Sequence, residues 1–513
     1  MSDAEGARHM RTQTRTGPPT SGRLGLGILL VLFSFTARAQ TGVGPVTIQS
    51  LFLNQSSNAH QGNYLEADAG ALYTDNVNLT PSKSSDTLGL IGLVGNTERV
   101  NAPRFDYHLD SDIALVKYFN GAYDTQPFGY FDGFGEFKIF PGTLSWIGRD
   151  TFTQLVIDPF QPATPDNLET INYITTGPQL TLKPTLRTTI TADATYSYVE
   201  TNSKSPQYVN INNYRLGGDL KIERAFSNLL SAYVSGTYSD VRFSNTVENT
   251  DFAYEQGTAG INFGDARTVL SISGGYTVAQ LKPTTNQPLP LPRLHLGFLP
   301  IMDLAVPPLA DTQNPSGTDW SVSLSRLISP TQRLAFSAVK QITDAANLFQ
   351  LNLSQPVPGN NQTQLANGQP FTYRTYSATW TYDTGRTKVT LNGLESTARY
   401  SLTPQLNHDT DALNGLIARQ LNPSFNLELG TLYEHDTYSV GFSQHTLNLV
   451  TSLRWQVGPK IRLRFFYTYT DVSPNGYTDN QIGVLASYAL TRAAEATDTL
   501  MRPTSRASQP LLQ

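Results

Sequence analysis

Three constellations in this sequence carry side chains of the kinds that bind or react. Asp75, Asn76, Asn78 and Asp86 crowd one short stretch. Oxygen ligands at such spacing can hold Ca²⁺, and the same residues also close turns by bonding their own backbone. His408, His435 and His445 form the second set. If a hairpin centres near residue 440, His435 and His445 fall opposite one another and can share a metal; histidines at a polar rim also simply hydrogen-bond. The third set is Arg454, Arg462 and Arg464, with Glu428 as a counter-charge. Like charges on adjacent strands are unfavourable unless carboxylates or anions answer them. The arginines are then either a basic patch that favours anionic solutes in a channel or part of an Arg/Glu ladder that stiffens a wall.

No nucleophile elbow, P-loop, zinc-protease helix or dinucleotide fingerprint is present. Gly89, Gly92 and Gly95 in LGLIGLVG precede no helix, and glycines in strands serve bending or close contact. The sequence assigns no catalytic residue, no cofactor and no resident metal, so the reading is of a protein that is not an enzyme. The mild net charge of −5 gives no sign of nucleic-acid binding. With 0 cysteines, disulfides, thiolate metal sites, thiol nucleophiles and an N-terminal lipid anchor are all excluded.

The elements that must position these groups are strands. From Leu65 the odd positions Ala67, Ala69, Ala71 and Tyr73 are apolar, while Glu66 and Asp68 are polar. Such alternation gives a strand one oily and one wet face. The same pattern runs through LRTTITADATYSY, FNLELGTLY and IRLRFFYTYT. Arg454 shares the parity of Ser452 and Gln456, opposite Leu453 and Trp455, and so lies on the wet face beside Arg462 and Arg464 once the chain turns at Gly458-Pro459. No run of about 20 apolar residues provides a membrane helix.

Turn signals recur roughly forty residues apart, at Asn101-Ala102-Pro103, Pro141-Gly142, Lys183-Pro184-Thr185, Phe226-Ser227-Asn228, Gly264-Asp265-Ala266, Ser329-Pro330-Thr331, Asp383-Thr384-Gly385, Asn422-Pro423-Ser424 and Gly458-Pro459-Lys460. Each interval holds a strand, a longer polar loop and a second strand. Long alternating strands with aromatics at their ends are the signature of a transmembrane β-barrel, whose short turns face the periplasm. A soluble sandwich has shorter strands, and one sheet of this size needs closure to hide its edges. The expected fold is all-β: a transmembrane antiparallel up-and-down barrel of about 20 strands, within a range of roughly 18–22. The widest external loops fall near 282–318 and 352–371, with a third at 157–169.

Arg11, Arg15 and Arg23 precede the apolar run Leu24 to Phe35, and Ala37-Arg38-Ala39 follows as a signal-peptidase site. The expected organisation is a signal peptide at 1–39, a short periplasmic segment at 40–62, the barrel at 63–490 and a flexible tail at 491–513. A segment this short before the first strand argues against a plug domain and against the 22-stranded energised transporters. Gln481-Ile482-Gly483-Val484-Leu485-Ala486-Ser487-Tyr488 resembles the terminal assembly signal of bacterial outer-membrane barrels, which implies the barrel assembly machinery as a partner.

The proline-rich loop from Lys282 to Ala310 carries Leu289, Leu291, Arg293, His295, Phe298 and Met302. Prolines forbid long regular strands there, and so many apolar side chains must pack somewhere. The loop is read as a constriction folded into the lumen, a cover of the mouth, or a contact surface for a partner.

The stretch YTDNVNLTP, Tyr73 to Pro81, after an alternating first strand, resembles the start of the β-barrel porin 2 family, the outer-membrane proteins associated with PEP-CTERM systems. Residues 152–185 are similar to the same family, with Asp166-Asn167 in a loop and Gly177-Pro178 opening the next strand. The resemblance implies an outer-membrane protein of a Gram-negative bacterium linked to exopolysaccharide production or export, and brings no catalytic residues. The expected function is a porin-like channel for solutes or exopolysaccharide; a non-conducting scaffold or adhesin and a barrel enzyme on lipids or glycans are the alternatives. Expected partners are outer-membrane lipids, lipopolysaccharide and the exopolysaccharide or its export machinery, reached after Sec-dependent export.

Overall fold

The computed structural model describes residues 63–100, 102–156, 160–202, 211–245, 249–282, 314–348, 368–474 and 476–491. Residues 1–62 and 492–513, and with them the expected signal peptide, periplasmic segment and tail, lie outside the described residues. The chain forms β1 (Tyr64–Thr74), β2 (Asp86–Arg99), β3 (Phe105–Tyr118), β4 (Gln126–Phe140), β5 (Leu144–Val156), β6 (Leu168–Thr185), β7 (Thr188–Thr201), β8 (Asn213–Ala225), β9 (Leu230–Phe243) and β10 (Asp251–Gly264). The second half gives β11 (Thr268–Lys282), β12 (Ser316–Ser329), β13 (Gln332–Thr343), β14 (Phe371–Asp383), β15 (Thr387–Tyr400), β16 (His408–Asn422), β17 (Phe425–Tyr438), β18 (Ser443–Gln456), β19 (Ile461–Ser473) and β20 (Thr478–Ala489).

Every strand pairs antiparallel with its neighbours in sequence, and β20 returns to β1 from Glu66↔Ala489 to Thr74↔Gln481. The result is a closed meander of 20 strands. Strand spacing near 4.8 Å and a tilt near 40° give such a barrel a backbone diameter of about 40 Å. Closure follows from chemistry. A hydrocarbon surrounding offers backbone N–H and C=O groups no partner, so none can be left at an edge.

The nine connections at one end are short, among them 141–143, 330–331 and 423–424. Gly142 and Gly385 sit in these turns at φ 79° and 81°, which favours glycine. At the other end the external loops include L1 (75–85), L3 (157–167), L6 (283–315), L7 (344–370), L8 (401–407) and L9 (439–442).

Two expectations are corrected along β6. The turn read at 183–185 lies at 186–187, because β6 runs through Pro184 by means of an irregularity between Leu182 and Thr185. Gly177-Pro178 does not open a strand; it lies inside β6. Pairing to β7 is interrupted between Thr176↔Tyr196 and Gln179↔Asp193, so Pro178, which has no N–H, sits at a break in that ladder.

The oily face is the outer one. Ile91 (63% exposed), Leu413 (59%) and Ile482 (60%) stand on it, an apolar band that belongs in lipid rather than water. Aromatics bracket the band. Phe140, Trp146, Phe226 and Tyr488 are exposed near the short-turn end, and Tyr73, Phe119 and Tyr214 near the external end.

The inner face is wet over only part of its height. In the periplasmic half it carries Ser231, Ser235 and Thr237 on β9, Ser271 and Ser273 on β11, and Ser321, Ser323 and Ser325 on β12. Higher up it turns apolar. Leu72, Leu88, Val116, Phe128 and Leu485 form one buried cluster, and Tyr173, Val199, Val241, Phe243, Phe252 and Ala279 form another. The wet face that alternation gives each strand is thus interrupted in the external half, where residues of the loops, Val77 of L1 and Ala346 of L7 among them, pack on the inner apolar side chains.

A Cβ on Gly177 would stand 1.9 Å from the Ala194 carbonyl oxygen of β7. Gly177→Ala is expected to force β6 and β7 apart and lower the temperature at which the barrel loses its compact gel mobility. Unchanged heat-modifiable migration would show that the backbone accommodates the methyl group.

Candidate functional site: the roofed lumen

L7 begins as β13 ends, and its first residue, Asp344, does two jobs. Its Oδ1 accepts the N–H groups of Ala346 (3.1 Å) and Asn347 (3.3 Å), capping a helical turn at 345–348. The same carboxylate receives a two-pronged contact from Arg215 on the inner face of β8, at 2.7 and 3.0 Å. The guanidinium also donates to Asn347 Oδ1 (2.8 Å) and Asn213 Oδ1 (2.9 Å), and lies 5.6 Å from the Tyr173 ring centroid. The Arg215 and Asp344 side chains are 4% and 1% exposed. Charges so buried hold only when their hydrogen bonds are satisfied, and here the planar fork provides the fit. Strands β9 to β12 separate β8 from β13 along the sheet, so this pin ties the start of L7 to a wall strand five places away.

Ala346 then joins the apolar cluster of β6–β11, and Leu348 packs with Phe371, Tyr373, Tyr400 and Leu406. The returning end of L7 lies close as well, with Gly368 against the Phe243 ring. L3 makes a second crossing. Asn167 Nδ2 donates to the carbonyls of Gln161 (3.1 Å) and Pro162 (3.0 Å), curling the loop. Phe160 meets Tyr438 and Phe442 of the β17–β18 hairpin at 4.9 and 5.5 Å between centroids. Six strands, β19, β20 and β1 to β4, lie between β18 and β5 along the shorter arc. A cavity of about 50 Å³ remains beneath L3, lined by Leu72, Leu88, Tyr118, Phe128, Ala163 and Leu168 among others.

The arginine set is brought together, and carboxylates answer it. Arg454 stands directly opposite Arg464. Arg454 Nη2 lies 3.1 Å from Glu428, which also accepts from Ser452 at 3.0 Å. Arg462 pairs with Glu66 of β1. Glu428 and Asp68 are the carboxylates acting on Arg464. Three cations and three carboxylates thus knit β17, β18 and β19 to β1 across the closing seam, an arrangement that favours the wall-stiffening reading.

The other sets do not converge on an ion. Asp75 meets Lys83 at 2.7 Å and both N–H groups of Asn480, Asn76 holds Thr80, and Asp86 accepts from Thr87 and Asn120. Their oxygens close L1 and tie it to β20 and to the β3–β4 connection. His435 and His445 do lie opposite in register with rings stacked 4.2 Å apart, on the outer face. His435 Nε2 meets Ser443 and Thr437, His445 Nδ1 meets the Tyr433 hydroxyl, and His408 is buried inside against the Leu406 carbonyl. No group of three or more metal-ligating side chains occurs among the described residues. The constriction residues Leu289, Leu291, Arg293, His295, Phe298 and Met302 lie outside the described residues.

Sequence reasoning missed Arg215 and Asp344. Parity puts Arg215 on the inner face, but its partner is 129 positions away and on a loop.

No family model matches this chain, and no curated protein matches it. Among solved structures, it is similar to the FrpB iron transporter of Neisseria meningitidis in its apoprotein form, at 9% identity, 88% of this chain, 86% of that chain and a TM-score of 0.46. A ferric enterobactin receptor mutant (PfeA) from Pseudomonas aeruginosa aligns at 8% identity over 84% and 82% of the two chains with a TM-score of 0.44. The siderophore receptor PirA of the same organism gives 9%, 84%, 81% and 0.41.

Arg454→Met would remove the direct ion pair of Glu428 and leave it the Ser452 hydroxyl and the charge of Arg464, and is expected to lower stability to urea by about 1–3 kcal/mol. Adding Glu428→Gln should recover part of it; equal stability of all three proteins would remove the ladder from the account. L1 offers a pH test. Burial disfavours the Asp75 carboxylate, yet the Lys83 ammonium and the Asn480 donors outweigh it and hold its pKa below the ordinary value. A lowered folded pKa stabilises above the unfolded value and is lost as pH falls through the folded one. Amide protection of L1 should therefore drop below about pH 4, and Asp75→Asn should abolish that dependence in hydrogen exchange.

Proposed function

We propose that this outer-membrane barrel is a porin-like channel for neutral, hydroxyl-rich solutes, the chain of a surface exopolysaccharide among them, with L3 and L7 narrowing its external mouth. The observation that carries this reading is the hydroxyl lining of the lower lumen. Ser273 and Ser321 bond each other at 2.6 Å, Ser271 bonds Asn262 at 2.7 Å, and Thr237 bonds Asp219 at 2.7 Å. Hydroxyls both donate and accept, so a wall of them can exchange partners with a sugar without holding it at one fixed charge. The arginines, each faced by a carboxylate, do not supply an anion filter in this reading.

The resemblance to the β-barrel porin 2 family points the same way, toward exopolysaccharide. Export by the Sec route and assembly by the barrel machinery fit the leader and the terminal-strand pattern. A second reading, a non-conducting scaffold, is favoured by the two apolar clusters that occupy the upper lumen.

Single-channel conductance of the refolded protein tests both. Asp344→Ala removes the contact that pins L7, and is expected to give larger or more frequent openings than the intact protein, with weak ion selectivity. Deleting residues 283–313 tests L6 separately. Silence in the intact protein and in both variants would sink the channel and leave the scaffold.

A further inference from the structure

Outside the lumen, near the external rim, Lys340 on β13 stands directly opposite Arg374 on β14. Both lie on the outer face, since their neighbours Tyr373 and Thr375 are buried inside while Arg374 is exposed. Side chains directly opposite in an antiparallel pair are about 5 Å apart at Cβ, where like charges repel. Among the described residues, Lys340 Nζ donates to the Thr318 hydroxyl, at 3.2 Å. Neither cation has an ion pair among the described residues. The nearest outward carboxylate, Glu395, is opposite Tyr376 and diagonal to Arg374, with no ion pair joining them. Contrast Arg399 on β15, whose guanidinium is held by Asp409 at 2.5 Å.

Trp320 stands directly opposite Lys340 on β12, and Tyr376 lies one step from Arg374 toward the membrane centre, the two rings 6.1 Å apart on the same face. Below them come Phe336 and Leu334, both exposed. From the rim inward the outer face thus carries two cations with Trp320 beside them, then Tyr376, then an apolar band. That order matches the depth profile of an outer leaflet: phosphate, sugar or glycerol, then acyl chain.

We propose that Lys340, Arg374 and Thr318 form a binding site for the phosphate of an anionic lipid headgroup in the outer leaflet, with Trp320 and Tyr376 packing on the adjoining sugar and first methylenes. The commitment is to a membrane lipid carrying a phosphomonoester, as lipid A does. Arg and Lys bind phosphate through charge-assisted hydrogen bonds, and the guanidinium does so with two parallel donors. The bound anion removes the repulsion between the two strands, so the site also ties β13 to β14 where L7 leaves the barrel.

The test is native mass spectrometry of the purified full chain in detergent doped with bis-phosphorylated lipid A, with dephosphorylated lipid A and with inorganic phosphate. The expected result is one retained phosphorylated lipid, bound about tenfold more weakly by Lys340→Ala/Arg374→Ala. The dephosphorylated lipid should bind the intact protein no better than it binds that variant. Arg326→Ala, which removes an exposed cation at the periplasmic end of β12, controls for general charge. Equal binding by the double variant, or an equal loss in Arg326→Ala, would overturn the site. Displacement of the lipid by equimolar inorganic phosphate would make it a general anion site and overturn the lipid assignment. Gel mobility of each folded barrel keeps misfolding separate from lost binding.

Discussion

The structure depends on one requirement: in hydrocarbon, each backbone N–H and C=O must find its partner within the sheet. The seam between β20 and β1 meets that requirement with the first and last strands of the barrel. Its ladder runs from Glu66↔Ala489 to Thr74↔Gln481. Side chains reinforce it at both ends. Arg462 pairs with Glu66 near the short turns, and Asp75 holds Asn480 near the external loops. A strand that slipped by one residue would turn Glu66 and Asp68 into lipid. The charges inside the wall therefore define the register as well as the lumen.

Once the sheet is closed, its width creates the next problem. A ring of 20 strands encloses more space than its own side chains fill. The external half solves this with inward loops laid over apolar patches of wall, and the periplasmic half leaves hydroxyls facing water. L1 shows the first solution in small. Leu79 holds a left-handed backbone at φ 56°, uncommon for leucine, while its side chain packs with Val472 and Tyr477.

The sequence reveals what lipid and short turns dictate. Lipid imposes one uniform environment on every outward side chain, so the alternation of Leu65, Ala67 and Ala69 identifies the outer face without reference to any partner. Turns such as Pro141-Gly142 are local chemistry and stand where they are read, apart from the third, displaced by the irregularity near Pro184. The arginines were legible for the same reason, since Arg454, Arg462 and Arg464 meet across one tight turn. The inner wall is different. Whether Phe243 or Val199 meets water or a loop depends on where L7 lands, and that is decided by Arg215 and Asp344, residues with no local tie. Asp344 looks like an ordinary loop-opening acid until the fold brings Arg215 beneath it.

The serines of the lower lumen have a consequence for direction. Hydroxyl side chains recur along the inner faces of β9, β11 and β12, and a hydroxyl accepts as readily as it donates. Such a surface looks alike to a chain sliding up and to one sliding down. It has neither ratchet nor gradient of its own. Any vectorial movement through it would have to be imposed from the ends, by a push from the periplasm or by removal of the emerging chain outside.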